Sequence, residues 1–492
     1  MGEAREIRQK RFKELRDAPK SPIHSSQPKI QKVPFMLRDH KNFEKYYVPR
    51  AVAIGPFHHD NPRCKLAQKY KLMLTSKFAQ FVGQTDEDLY KKIEEKIKEL
   101  RECYVKEEIE DIDDDTLAWM LFLDGCSTLQ FIYSLMHEHE EFEKLFEIKR
   151  DQVAFAQQDL FLLENQIPYQ VLELLMSSSN RREDLRRAIE NFVRMHIIVP
   201  TEKQSKGQEQ KHQPGITENR EQKQEPDTTA SMEQKVDITE NTETKQQPGV
   251  TTDANQKQQP GVTTDANQKQ QPSVPIPMEK EPIHLLDLLR KRIIGSPKED
   301  VPKKGVGEFS KQTFRNVQEL SAAGIHFQPS KSNFLGDISF KSHCFAGFLS
   351  LPPISVDDST GPKFMNLIAY EMCPDFQNDY GVTSYIGFLD ALIDHAEDVK
   401  KLRSASVLFN FLGSDKEVAK LFNEIGTDLV PNTAIYLSVK AELEKHYKTK
   451  WKTWMSQFCH DHFSSPWTIL AFLGVLSALG LSGIQTWYTV HP

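Results

Sequence analysis

The stretch Thr116–Met136, TLAWMLFLDGCSTLQFIYSLM, decides the fold. It is apolar nearly all round and far longer than an ordinary strand, which predicts a helix buried on every side. A helix of that kind must be surrounded by other helices. The acidic run in front of it, EIEDIDDD, sets Asp111, Asp113 and Asp115 at the alternating spacing of a calcium loop. Thr116 stands where that loop needs glycine, however, and Phe122 where it needs a bidentate Glu. The run is therefore read as a cap in which Asp114 or Asp115 meets the unpaired N–H groups of the helix.

Working outward, Leu89, Ile93, Ile97, Leu100 and Tyr104 recur at spacings of four and three among Lys and Glu, which predicts one solvated helix with an apolar stripe. RDQVAFAQQDLFLLENQIPYQVLELLM predicts a helix to about Asn165 and a second, with Pro168 in its first turn, through Met176. Farther along, NFLGDISFKSHCFAGFLSLPPISV and KFMNLIAYEM have shorter apolar runs divided by turn residues and predict a few strands. Helical spacing returns in TSYIGFLDALIDHAEDVKKL, SDKEVAKLFNEI and NTAIYLSVKAELEKHYKTKW. The expected fold class is mainly α with a minor α+β element.

At 492 residues the chain exceeds the usual size of a single core. A net charge of -7, with basic residues interleaved among acidic ones, excludes a phosphate-backbone binder, so no nucleic acid is expected as partner. The six cysteines are scattered, with no C-x-x-C pair, and fit a reducing compartment. Between 201 and 282 there is no Phe, Tyr, Trp or Leu, and KQQPGVTTDANQ occurs in tandem from Lys245 and Lys257. Such a segment cannot bury enough apolar surface to offset its ordering entropy and is expected to be disordered. It lies between REDLRRAIENFVRMHII and HLLDLLRKRII, so an inserted loop within one helical layer and a domain boundary are both open. The expected organisation is a charged, disordered arm at 1–29, a helical half at 30–200, the insertion at 201–282 and a second half with short strands at 283–462. A membrane-spanning helix at 466–490 completes it.

That last helix has the strongest physical signal. WTILAFLGVLSALGLSGIQTW runs from Trp467 to Trp487 without a charge and covers about 30 Å at 1.5 Å per residue, with an aromatic residue at each edge. Lys448, Lys450 and Lys452 precede it, which puts the body on the cytosolic side of a membrane, expected to be the plasma membrane. The charged N-terminus has no apolar core of a secretory signal. Gly474, Ala478 and Ser482 form a small-residue stripe, a candidate face for homodimerisation.

The chemistry offered by the residues is sparse. No nucleophile elbow, phosphate loop, dinucleotide fingerprint or kinase set occurs, and no cofactor or metal site is expected. HEHEEFE (His137, His139) and HDH (His460, His462) lack a convincing third ligand. Asp124 and Glu164 sit inside apolar runs, where a carboxylate needs a partner. VPRAVAIGPFHHD, Val48 to Asp60, places His58 and His59 behind a Gly-Pro turn, beside a run, AVAI, that reads as a short strand within a kinked extended piece. Those histidines either fasten the turn to buried carbonyls or acids, or work with Asp124 or Glu164 as an acid/base site.

VPFMLRDHKNFEKYYVPRAVAIGPFHH, MLFLDGCSTLQFI, DLFLLENQIPYQVLELL, HLLDLLR, ELSAAGIHF, NLIAYE and the terminal HFSSPWTILAFLGVLSALGLSGIQTWYTV occur in an order that resembles the plant domain of unknown function 247 family. The resemblance runs from about Ile30 to the C-terminus apart from the insertion. It implies a plant protein with one C-terminal membrane helix and no established catalysis, and, because some members take part in self-recognition in pollination, a recognition or signalling role with a protein partner. It marks Pro34, Arg38, Pro49, Gly55, Pro56, His58, His59, Asp124, Gly125, Cys126, Asp159, Glu164, Asn165, Gln166 and Pro168 as family features rather than catalytic ones. Phe57, Asp60 and Ser127 depart from the usual pattern. The expected function is thus a membrane-anchored interaction protein; the alternative is a membrane-tethered enzyme using His58 or His59 with Asp124 or Glu164.

Overall fold

The computed structural model of the chain describes residues 2–17, 28–137, 149–177, 179–197, 281–295, 315–343, 346–376, 380–427, 429–432, 434–448 and 466–490. The repeat insertion, together with His139, His460 and His462, lies outside them.

The helices of the first half are α1 (Gly2–Asp17), α2 (Phe35–Arg38), α3 (Phe43–Tyr47), α4 (Lys65–Val82), α5 (Asp86–Glu94), α6 (Ile97–Arg101), α7 (Asp114–His137), α8 (Arg150–Asp159), α9 (Tyr169–Ser177) and α10 (Arg182–Met195). After the insertion come α11 (Leu285–Ile294), α12 (Val317–Ala322), β1 (Ile325–Pro329), β2 (Ser339–Ser342), β3 (Gly347–Leu351), β4 (Ile354–Val356) and α13 (Thr360–Glu371). The remainder is α14 (Gly381–Asp390), α15 (Ala396–Ser404), β5 (Leu408–Asn410), α16 (Asp415–Ile425), α17 (Leu437–Lys448) and α18 (Pro466–Val490). The fold is mainly α, with five short strands among the described residues.

Helix α7 is the axis of the first half, packed by α4, α5, α9 and α10. Leu117, Leu121, Cys126, Leu129 and Ile132 are buried on one half of its circumference, and Leu123, Ser127, Gln130 and Phe131 are buried on the other. Gly125 sets the closest approach. A Cβ there would lie 2.6 Å from Leu175 Cδ1 and 2.7 Å from Val171 Cγ1, so a larger residue would force α9 away. The helix is capped by Asp113, which accepts from Thr116 N at 2.8 Å, and not by Asp114 or Asp115; Asp114 is drawn instead to Arg101 Nε at 2.6 Å.

Several expectations are corrected. The Leu89–Tyr104 stripe is buried, but Leu89 and Ile93 lie in α5 and Ile97 and Leu100 in α6, with a break at Glu95–Lys96, and Tyr104 lies beyond α6 in a bridge to Ile30. Helix α8 ends at Asp159, not near Asn165, because the Asn165 side chain donates to Asp159 O and the Gln166 side chain to Leu160 O and Leu162 O, carbonyls that a continuing helix would have paired internally. KFMNLIAYEM, expected as a strand, lies in α13, whose twelve residues are all buried. A short apolar run buried on all sides has no period to separate helix from strand. The run AVAI in Val48–Asp60 forms no strand either, and the arm expected to be disordered is helical over Gly2–Asp17.

Two sheets stand in the second half, β1-β3-β2 with β1 parallel and β2 antiparallel to β3, and β4 parallel to β5. Helix α13 ties the halves together. Asn366 accepts from Leu163 N at 2.7 Å and donates to Tyr46 O at 2.7 Å. Tyr169 N reaches Ile283 O at 2.7 Å, and Arg292 of α11 pairs with Glu190 of α10 at 2.8 Å, so the helices flanking the insertion are neighbours in one core. Among the described residues α18 is the one helix long and apolar enough to cross a membrane. Its window Leu470–Trp487 has mean hydropathy 1.5 and no burial. A Cβ at Gly474 would meet nothing within 4 Å, so the small-residue side of α18 is open.

Candidate functional site

Residues Arg50 to Gly55 run between helices with no neighbouring strand to pair with, and their main chain is satisfied by side chains. Asp159, at the end of α8, accepts from Arg50 N at 3.0 Å, Ala51 N at 2.6 Å and Val52 N at 2.9 Å. Asn165 accepts from Ile54 N at 2.7 Å and donates to Val52 O at 3.0 Å and Asp159 O at 2.9 Å. Asp124, in the middle of α7, accepts from Gly55 N at 2.8 Å through Oδ2. Its Oδ1 pairs with the Lys71 ammonium, which also donates to Ala53 O at 2.5 Å. The two charges are 1 % and 4 % exposed, and each supplies what the other needs in a dry site.

Gly55 makes the turn possible. Its φ is +70°, and a Cβ would fall 2.5 Å from the Gln166 carbonyl oxygen. Only glycine fits that close approach and that left-handed backbone. Gln166 itself donates to the carbonyls of Leu160, Leu162 and Asn165 and accepts from Leu286 N at 3.2 Å, binding the 160–166 turn to α11.

The histidines fall at the edge of this belt. His58 Nε2 stands 3.1 Å from Glu164 Oε2, within ion-pair distance but off the line of a good hydrogen bond. The other oxygen of Glu164 accepts from Val33 N at 2.8 Å. His59 Nδ1 lies 2.8 Å from Pro56 O, and its Nε2 is 2.9 Å from the exposed Asp60. The structure thus brings His58 to Glu164 and sends Asp124 to Lys71. Among the described residues no group of His, Cys, Asp and Glu could hold a metal.

The other marked residues build the same region. Pro34 caps α2, Arg38 Nε donates to Val33 O at 2.8 Å, Pro49 O accepts from Cys64 Sγ at 3.8 Å, Pro168 O accepts from Val171 N at 2.9 Å, and Cys126 is fully buried. Burial pushes the Asp159 carboxyl up to about 6, against the three N–H donors that favour its charged form. Sequence reasoning missed Lys71, Asn366 and Glu371. Glu371 is fully buried and holds Arg290 at 2.6 Å and the first N–H groups of α14 at 2.8–3.0 Å. The signal for Lys71 was present, since Leu74 and Phe78 follow it at helical spacing and place it on the apolar side of α4.

Outside the belt, between Arg50–Ile54, α4, α7 and α8, lies a largely apolar cavity of about 160 Å3.

Two UPF0481 proteins of Arabidopsis thaliana are similar to the chain. One is 23 % identical over 464 residues, covering 89 % of this chain and 86 % of its own length; the other is 26 % identical over 474 residues, covering 90 % and 82 %. No solved structure matches significantly. The family DUF247, described as plant protein of unknown function, matches residues 30–481, and the chain belongs to it.

Proposed function

We propose that this chain is a single-pass, membrane-anchored plant protein whose body acts by binding, as a protein–protein interaction or recognition component, and not by catalysis. One observation carries the reading: the buried acids of the belt are used for architecture. Asp124, Asp159 and Glu164 all accept main-chain N–H groups, and Asp124 is neutralised by Lys71, so no carboxylate of the belt faces open space as a general base must. The open, apolar α18 supports the anchor, and Lys448, Lys450 and Lys452 before it support a cytosolic body.

The catalytic and architectural readings separate in the double variant His58→Ala, His59→Ala. Removing the Glu164 contact and the Pro56 contact lowers stability by about 1 kcal/mol, visible as a lower melting temperature. A variant as stable as the parent that loses a biological activity overturns the architectural reading. For the anchor, the full chain stays in the microsomal pellet through an alkaline carbonate wash and a chain lacking 466–490 is released. Release of both removes the membrane assignment.

A further inference from the structure

The cavity beside the belt is built like a ligand site. Its walls are the buried side chains of Leu74, Phe131, Val153 and Leu160, and Leu66 and Phe155, 53 % and 36 % exposed, stand at its mouth. At about 160 Å3 it is the size of a cavity that takes up benzene. One wall is Ala51, Val52 and Ile54, whose main chain is fixed by Asp159 and Asn165, so the shape is set before any ligand arrives.

The charges around it are unevenly used. Lys71 lines the cavity, but its ammonium is taken up by Asp124 and Ala53 O. Arg50 stacks over the Phe155 ring at 4.2 Å and donates to the neutral amide of Gln158 at 2.5 Å. Asp159, whose charge attracts Arg50, turns its oxygens to main-chain N–H groups. Arg63 pairs with Glu44 at 3.3 Å, both side chains being more than half exposed, and such pairs hold little energy. Two guanidiniums therefore border an apolar hole, and among the described residues neither side chain is ion-paired with a buried carboxylate.

We infer that this cavity binds a small amphiphilic monoanion, a carboxylate carried on a single aromatic ring or a short branched chain, with the apolar part against Leu74 and Phe131 and the carboxylate at Arg50 and Arg63. A guanidinium takes a carboxylate through two parallel N–H bonds, and the apolar walls supply the remaining affinity. The site gives the proposed binding body a small-molecule input, and it stands or falls independently of the anchor and of the histidines.

The test uses the full chain in lipid nanodiscs and fluorine NMR of 4-fluorobenzoate and 4-fluorobenzyl alcohol, with empty nanodiscs subtracted. The acid is expected to bind at least about tenfold more tightly than the alcohol, the difference one charge-assisted contact makes. Arg50→Gln should reduce that preference, and Ala156→Phe, which fills the cavity from α8, should abolish binding of both probes. Ala67→Leu fills it from α4 and serves as a second wall variant, with melting temperatures identifying any variant that fails to fold. No protein-dependent binding, equal affinity for the two probes, or unchanged binding in folded wall variants overturns the assignment.

Discussion

Strand β3 and the segment Arg50–Gly55 are both short, both lie against the core, and both must satisfy main-chain groups away from water. In β3 the partners are main chain, Ile325–Pro329 on one side and Ser339–Ser342 on the other. In Arg50–Gly55 the partners are Asp159, Asn165, Asp124 and Lys71. The first arrangement tolerates most side chains, because any residue except proline brings the same N–H and C=O groups. The second depends on four particular side chains at four particular places, so it should be fragile where the sheet is robust.

The largest break in that comparison is expected at the buried ion pair. Lys71→Ala leaves Asp124 charged and uncompensated beside Gly55 N, which costs about 3–5 kcal/mol in urea unfolding. A loss below about 1 kcal/mol would mean that the pair is solvated. Next comes acid. Burial pushes His284, the residue before α11, down to about 4 and His196 to about 3, each from an unfolded value of 6.5. Their folded values are depressed, so the folded state binds fewer protons. The stability they contribute is present above pH 6.5 and lost as pH falls toward 4. Asp159 has the opposite sign. Its folded value of about 6 lies above the ordinary 3.8, so its contribution is present below 3.8 and lost as pH rises through 6. The two histidines outweigh it, and stability falls on acidification. His284→Asn, which keeps an acceptor for Asp287 N, should remove about 3 kcal/mol of that fall; an unchanged pH profile would contradict the burial of the imidazole.

Gly55→Ala sharpens the comparison at about 2–3 kcal/mol, since it brings both an unfavourable φ and a collision with Gln166 O. The smallest effect belongs to the sheet. Gln328→Ala in β1 removes an exposed contact to Ser350 and leaves the ladder intact, so its melting temperature should stay within the change that about 0.5 kcal/mol produces.

How much of this was legible depended on whether neighbours in sequence were also neighbours in space. Thr116–Met136 has no polar side, so its burial in α7 could be read from the residues alone, and the charge-free stretch that forms α18 was equally plain. The helical body and its few strands followed from those runs and the turn residues between them. KFMNLIAYEM was misread because a short run buried on all sides shows no period, and the burial of its Asn366 and Glu371 depends on Leu163, Tyr46 and Arg290, which come from far along the chain. The belt was half visible. Asp124 and Glu164 demanded partners, but the identity of those partners, Lys71, Gly55, Val33 and His58, is a matter of helix packing that spacing within one segment cannot supply. AVAI was misjudged for a related reason: its composition suits a strand, yet its N–H groups meet carboxylates before they meet another strand.

The most direct measurement is amide hydrogen exchange, residue by residue, in the parent chain and in Asp159→Ala. If side chains hold this segment, Ala51 and Val52 exchange slowly in the parent and lose protection in the variant, while Gly55, held by Asp124, and Leu349, held in β3, keep theirs. Protection at Ala51 and Val52 that survives the loss of the carboxylate would show that something other than Asp159 orders the segment.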